Sequence, residues 1–222
     1  IDVLGKPMIC HVLDNLNIPD AKFILLTRFE HYNNEQETVK WIKSNYKVEF
    51  VMIDKLTEGA ACTVLHAHRL INNDTPLLIA NSDQIVDMDI SEYINDSKKR
   101  GLDGSVLCFE DNDKKWSYAK LDKNRFITEI REKEVISKNA TVGIYYFNKG
   151  RDFVENAIDM IVRNERVNNE FYVAPVYNYA INQGKKFGIY TIGKTQMHGT
   201  GTPEDLDKYI ETVKEQQGAL VL

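Results

Sequence analysis

Short apolar runs alternate with amphipathic stretches through the first half of this chain, and that rhythm narrows the fold more than any other feature. Residues 22–27 (KFILLT) and 49–53 (EFVMI) have the length and apolar content of buried strands. Residues 7–17 put Met8, Ile9, Val12, Leu13 and Leu16 on one helical stripe, and residues 34–46 do the same with Val39, Ile42 and Tyr46. Residues 58–71 form a third such helix through Val64, Leu65, Ala67, Leu70 and Ile71. Pro76 is then followed by Leu77-Leu78-Ile79-Ala80-Asn81-Ser82-Asp83-Gln84, a buried-strand pattern that finishes on an acid. This βαβαβ order predicts parallel strands joined by right-handed crossovers.

The second half is more mixed. Residues 91–100 read as a helix closed by Gly101. Strands follow at 104–109, 117–121 and 125–131, with Lys123-Asn124 as a tight turn between the last two. Residues 141–147 (TVGIYYF) are another strand, then helices are expected at 151–163 and 169–182. Residues 186–192 return to the sheet, and the last helix starts at Pro203. No repeat or linker interrupts this, so the expectation is an α/β fold in one domain spanning 1–222. Its Rossmann-like central sheet is mixed and mostly parallel, with helices on both faces.

A net charge of −5 argues against nucleic acid as a partner, since phosphate backbones need a basic surface. Cys10, Cys62 and Cys108 are odd in number and lack a CxxC spacing, which suits reduced thiols. With neither a signal peptide nor an apolar run long enough for a membrane span, these features place the chain in the cytoplasm.

Several positions are candidates for chemistry. Ligands of open α/β sheets bind beyond the carboxyl ends of strands, and an acid there holds a hard cation against phosphate. Asp83 occupies that position, although a turn cap would account for it too. Glu58-Gly59-Ala60 lies at a strand-to-helix junction, where small residues admit a ligand and a helix N-terminus favours anions. Asp87-Met88-Asp89 is a DxD pattern, for which a solvated loop and a helix cap are the plainer reading. Lys133, after Glu132 at a strand end, offers a point charge to phosphate or sits in a merely solvated charged loop. In MHGTGTPEDL, Thr202 to Asp205 make a helix start, which leaves His198, Gly199 and Gly201 unexplained. There is no GxSxG, HExxH, P-loop or GxGxxG.

Taken in order, these pieces resemble the sugar nucleotidylyltransferases, the pyrophosphorylases that make nucleotide-activated sugars, and most of all the variants of bacterial capsule and surface-polysaccharide clusters. The likeness rests on Ile1 to Ile9 (IDVLGKPMI), Glu58 to Thr63, Asn81-Ser82-Asp83, Glu132-Lys133, Thr141-Val142-Gly143-Ile144-Tyr145, Asn169-Glu170-Phe171-Tyr172 and Gly201 to Leu206. It implies Mg²⁺ on Asp83 and a nucleotide bordered by Glu58, Gly59, Ala60 and Ser82. It further implies a phosphorylated sugar held by Lys133, Gly143 and Glu170, with a nucleoside triphosphate as co-substrate. A homo-oligomer is compatible with this reading.

Two departures stand out. The family's glycine-rich signature loop, with an arginine and a Pro-Lys, would lie before Ile1. Many relatives also carry a metal-binding acid where Gly199 stands, leaving either Asp205, Glu204 or His198 as a stand-in or the metal on Asp83 and phosphates alone. Two rivals follow: a glycosyltransferase of the related fold with its metal on Asp87 and Asp89, and a non-catalytic subunit that binds nucleotide or sugar phosphate.

Overall fold

The computed structural model describes residues 1–219. It opens with β1 (Asp2–Val3), β2 (Lys6–Pro7), α1 (Met8–Asn15), β3 (Phe23–Arg28), α2 (Phe29–Asn34), α3 (Gln36–Asn45) and β4 (Val48–Ile53). Next come α4 (Ala60–Leu65), α5 (His68–Ile71), β5 (Leu77–Ala80), β6 (Gln84–Val86), α6 (Ile90–Lys99) and β7 (Gly104–Glu110). The order continues with β8 (Ser117–Leu121), β9 (Ile127–Glu132), β10 (Asn139–Phe147), α7 (Gly150–Val162) and α8 (Val176–Asn182). It ends with β11 (Phe187–Ile192), β12 (Met197–Gly199) and α9 (Pro203–Ala219).

A six-stranded sheet in the order β11-β7-β10-β8-β9, with β5 also on β10, organises the molecule. Alternation along each strand feeds two cores. Val106 and Cys108 of β7, with Tyr145 and Phe147 of β10, face a core that holds Ala61, Ala67, Ile71, Phe153, Ala157 and Tyr177. Leu107 and Phe109, with Val142, Ile144 and Tyr146, face a second core that holds Val12, Ile90, Tyr93 and Tyr209. Helices therefore cover both sides, as the apolar stripes of α1, α6 and α7 require.

Strand direction is more varied than the sequence suggests. β5 and β7 are both antiparallel to β10, and β11 is parallel to β7. So β5, β7 and β11 run alike while β10 reverses between two of them. β3 and β4 form the expected parallel ladder. Among the described residues that ladder is a separate two-stranded sheet, and β5 pairs with β10 instead. Apolar runs identify strands but carry no information about which neighbour they choose.

β10 is also forked. Ile144 to Phe147 pair with β5 while Ala140 pairs with β8, both on the edge opposite β7. The register against β7 shifts between Thr141 and Tyr145, and Gly143 sits inside this bulge at φ +94°.

Other boundaries moved for local reasons. The helix expected over 34–46 is found as α3, with the short α2 preceding it, while that expected over 58–71 divides into α4 and α5. The turn at Lys123-Asn124 is wider than a two-residue hairpin: Asp122 accepts from the backbone N–H of Asn124 and Phe126, and its own N–H donates to Phe126 O. Residues 169–175 are not helical. Asn168 and Asn169 are left-handed, and the Phe171 backbone is engaged by another loop.

Candidate active site

Asp83 lies in the turn from β5 to β6, three residues beyond the end of β5 rather than at its tip. The turn is held at both ends: Asn81 N–H donates to Gly143 O (3.2 Å) and Thr200 N–H donates to Asp83 O (2.8 Å). β12 pairs with β6 beside it. At Gly201 a side chain would meet the Asp83 carboxylate, so any larger residue there displaces that carboxylate from its present position. Ser82 is exposed on the same turn. The space above Gly143 is taken by Asn81 and Gln84, whose amides meet a Cβ built there. Asn81 Nδ2 donates to Gln84 Oε1 at 3.3 Å. The room expected at Gly143 is therefore occupied by the chain's own side chains.

The acids proposed as alternative metal ligands have other partners. Asp89 caps α6, accepting from Ser91 N–H (2.8 Å) and Oγ–H (2.6 Å). Those bonds hold its carboxyl below the usual range. Asp87 Oδ2 pairs with His198 Nε2 at 2.8 Å. Asp205 accepts from Thr202 Oγ–H (2.8 Å) while donating its N–H to the same oxygen (3.2 Å), the reciprocal bond of a helix start. Its side chain also flanks Gly199. The helix-cap reading of Asp89 is observed, and Asp87 is engaged by His198 instead of sharing that cap. Among the described residues no three His, Cys, Asp or Glu side chains converge as a metal cluster. Near Asp83, Thr200 is 3% exposed and its hydroxyl has no partner. A single carboxylate at Asp83 would suit a hard cation that keeps water and phosphate oxygens, rather than an all-protein cage.

A second group assembles around Phe171. Gly59, at φ +125°, lies so close to the Phe171 backbone that a Cβ would meet its nitrogen at 2.5 Å. Phe171 N–H donates to Glu58 O (2.8 Å) and Ala61 N–H donates to Phe171 O (2.9 Å). The Ala61 amide is thus spent on protein, and α4 has only six residues, so the expected helix-end anion cradle is not formed there. Ala60 follows in the same locked segment.

Lys133 follows β9 in a left-handed conformation, φ +56°, uncommon for a long side chain. Its N–H donates to Trp116 O (3.1 Å) and its Nζ donates to Tyr172 OH (3.0 Å) over the Tyr172 ring. That hydroxyl raises the Lys133 pKa and keeps the ammonium charged. Glu132 is half-buried and accepts from Ser117 Oγ–H. Burial pushes its carboxyl up, with Glu170 adding and Lys133 opposing. Glu170 is exposed, tied through its backbone to Val167.

Glu58–Ala60, Glu132–Lys133 and Glu170–Tyr172, far apart in sequence, thus share one locality. Asp83, Gly143, Thr200 and Gly201 make the other. β10 connects the two: Gly143 borders the turn of Asp83, and the Tyr145 hydroxyl feels the Glu132 charge. A cleft of about 630 Å³ touches the Phe171 group at Glu132 and Arg166 and runs past Asn178 and Tyr179. Sequence reading missed Arg166, Tyr172, Ser117 and Thr200. The run Asn164, Asn168 and Asn169, all left-handed, was the one available signal of a shaped loop at 164–169.

Comparisons with known proteins agree on the fold. The chain is 21% identical to a nucleoside-diphosphate-sugar pyrophosphorylase from Vibrio cholerae RC9, with a TM-score of 0.79 over 95% of this chain and 90% of that one. A UDP-glucose pyrophosphorylase complexed with UDP-glucose is 14% identical, with a TM-score of 0.75 over 97% and 89%. At such identities the likeness establishes architecture alone. A search of curated proteins finds no match. Among the described residues no helix is long and apolar enough to cross a membrane. The family model for nucleotidyl transferases matches residues 1–216, nearly the whole sequence, and the chain belongs to that family.

Proposed function

We propose that this protein is a Mg²⁺-dependent sugar-phosphate nucleotidylyltransferase. A phosphate oxygen of the sugar attacks the α-phosphorus of a nucleoside triphosphate. The new P–O bond forms as the α–β bridging bond breaks, and pyrophosphate leaves. The observation that carries this reading is the meeting of the Glu58, Lys133 and Glu170 segments at Phe171 and Tyr172. The similarity in fold to sugar pyrophosphorylases supports it.

Such transfers depend on positioning and charge neutralisation more than on covalent catalysis. Lys133 orients the attacking phosphate through a charged hydrogen bond, exchanging its contact with Tyr172 for the substrate. Glu58, Gly59, Ala60 and Ser82 border the nucleotide, and Glu170 accepts from a sugar hydroxyl. Asp83 is the metal-holding carboxylate, with Thr200 nearby. A magnesium ion held there would offset polyphosphate charge. The nucleotide-activated product is of the kind consumed in surface-polysaccharide precursor synthesis.

The test is a pyrophosphate-release screen across four nucleoside triphosphates and a panel of phosphorylated sugars. Asp83→Asn is expected to lower kcat by about a hundredfold or more with the fold intact, the scale of losing one electrostatic stabiliser. Near-normal release from that variant would falsify the metal role. Lys133→Ala should raise KM for the sugar phosphate; a change confined to the nucleotide KM contradicts its placement.

A further inference from the structure

We propose that Arg166 is a positioning residue that ties the nucleotide-side loop to the acceptor-side loop, so that each is held in place by the other. The substrate names rest on the function proposed above; the tie itself is geometric.

The Arg166 guanidinium has a partner on each side. Nη2 donates to Glu58 Oε2 at 2.8 Å, across to the nucleotide-side loop. Nε donates to Asn164 Oδ1 at 2.6 Å and Nη1 to Asn169 O at 3.3 Å, within its own loop. Its carbon lies 4.2 Å from the centroid of the Phe171 ring. Phe171 is also the residue whose backbone bonds Glu58 and Ala61, and its neighbour Tyr172 receives Lys133. One side chain thus connects Glu58, the residue before Glu170, and the ring between Glu170 and Tyr172.

An exposed ion pair on its own contributes little, and the Glu58 side chain is 65% exposed. The Arg166 side chain is 28% exposed, less than half the exposure of the Glu58 side chain, and its bonds form a network stacked on an aromatic face. The planar fork matters here, because an ammonium cannot meet three separated acceptors while lying flat on a ring. The left-handed conformations of Asn164, Asn168 and Asn169 shape the loop so that its acceptors converge on that fork. Glu58 and Glu170 share no sequence motif; Arg166 adds a side-chain connection to the backbone bonds that already join Glu58 and Ala61 to Phe171.

The experiment combines hydrogen exchange with steady-state kinetics on the full chain. Its variants are Arg166→Ala, Arg166→Lys and Glu58→Gln. Glucose 1-phosphate serves as the probe acceptor, with the triphosphate that the screen selects. Arg166→Ala should speed exchange at the Phe171 and Ala61 amides and leave β10 unchanged. It should raise KM for both substrates by about tenfold with a smaller change in kcat, the size expected for a lost charged hydrogen bond. Arg166→Lys should recover less than half of that loss, and Glu58→Gln should add little in the Arg166→Ala background. Unchanged exchange at Phe171 and Ala61 overturns the tie, as does a KM effect on one substrate only. If the wild type releases no pyrophosphate with any triphosphate, the proposed function fails, while the exchange result still decides the tie.

Discussion

The β3–β4 ladder and the β7–β10 ladder are built from equally apolar runs, yet they are buried very differently. Nearly every residue of β7 and β10 is buried, whereas in β3 and β4 only Ile53 is. The central strands sit between two helical layers that pack on alternate side chains. β3 and β4 have α1 and α3 behind them, through Cys10, Leu13 and Ile42, and pair with no further strand among the described residues. Apolarity announces a strand; coverage is decided by what the rest of the chain places over it. Native stability is therefore concentrated in the six-stranded sheet.

The strongest way to break this contrast is to cut into each region. Phe147 stacks on Tyr177 at 4.4 Å between ring centroids and meets Phe153 and Phe187 edge-on. Phe147→Ala should cost about 3–5 kcal/mol in urea unfolding. Leu25→Ala, in half-covered β3, should cost about 1 kcal/mol, since less apolar area returns to water. Equal costs would sink the comparison. Native-state hydrogen exchange should show the β3–β4 amides opening well before those of β10, and uniform protection would argue for one cooperative unit.

The smallest effect is expected at Glu132. Burial raises its folded-state pKa, so ionisation above the ordinary glutamate range, about pH 4.3, favours the unfolded chain. Stability should fall as pH rises through that interval and the folded-state pKa. Glu132→Gln removes the penalty, so it should raise Tm slightly at neutral pH and lose that advantage in acid. A Tm gain that persists in acid would mean the carboxylate's burial is not the cause.

Much of this architecture was legible in advance. The runs that became β3, β4, β5, β7 and β10 declare themselves because a covered strand needs consecutive apolar residues. The Thr202–Asp205 helix start was equally clear, because capping chemistry is local. Long-range choices were not: that β10 reverses between β5 and β7 depends on pairings between residues distant in the sequence, such as Ile144 with Ala80 and Phe147 with Gly104. Nor was the fate of residues 169–175, whose apolar spacing suits a helix until Phe171 gives its backbone to Glu58 and Ala61. In the candidate site, Asp83, Glu58 and Lys133 stood out by chemistry at element ends. Arg166 and Tyr172 did not, because their importance lies in what they reach.

The fork in β10 has one more consequence. Two unrelated neighbours grip the same edge of a single strand, one on each side of a glycine bulge. A slip of one position would unseat both together and exchange the side chains that face one core for those that face the other. Threading errors are thus punished twice over, and the distance between the two clusters of chemistry is inherited from one shared ruler rather than adjusted separately.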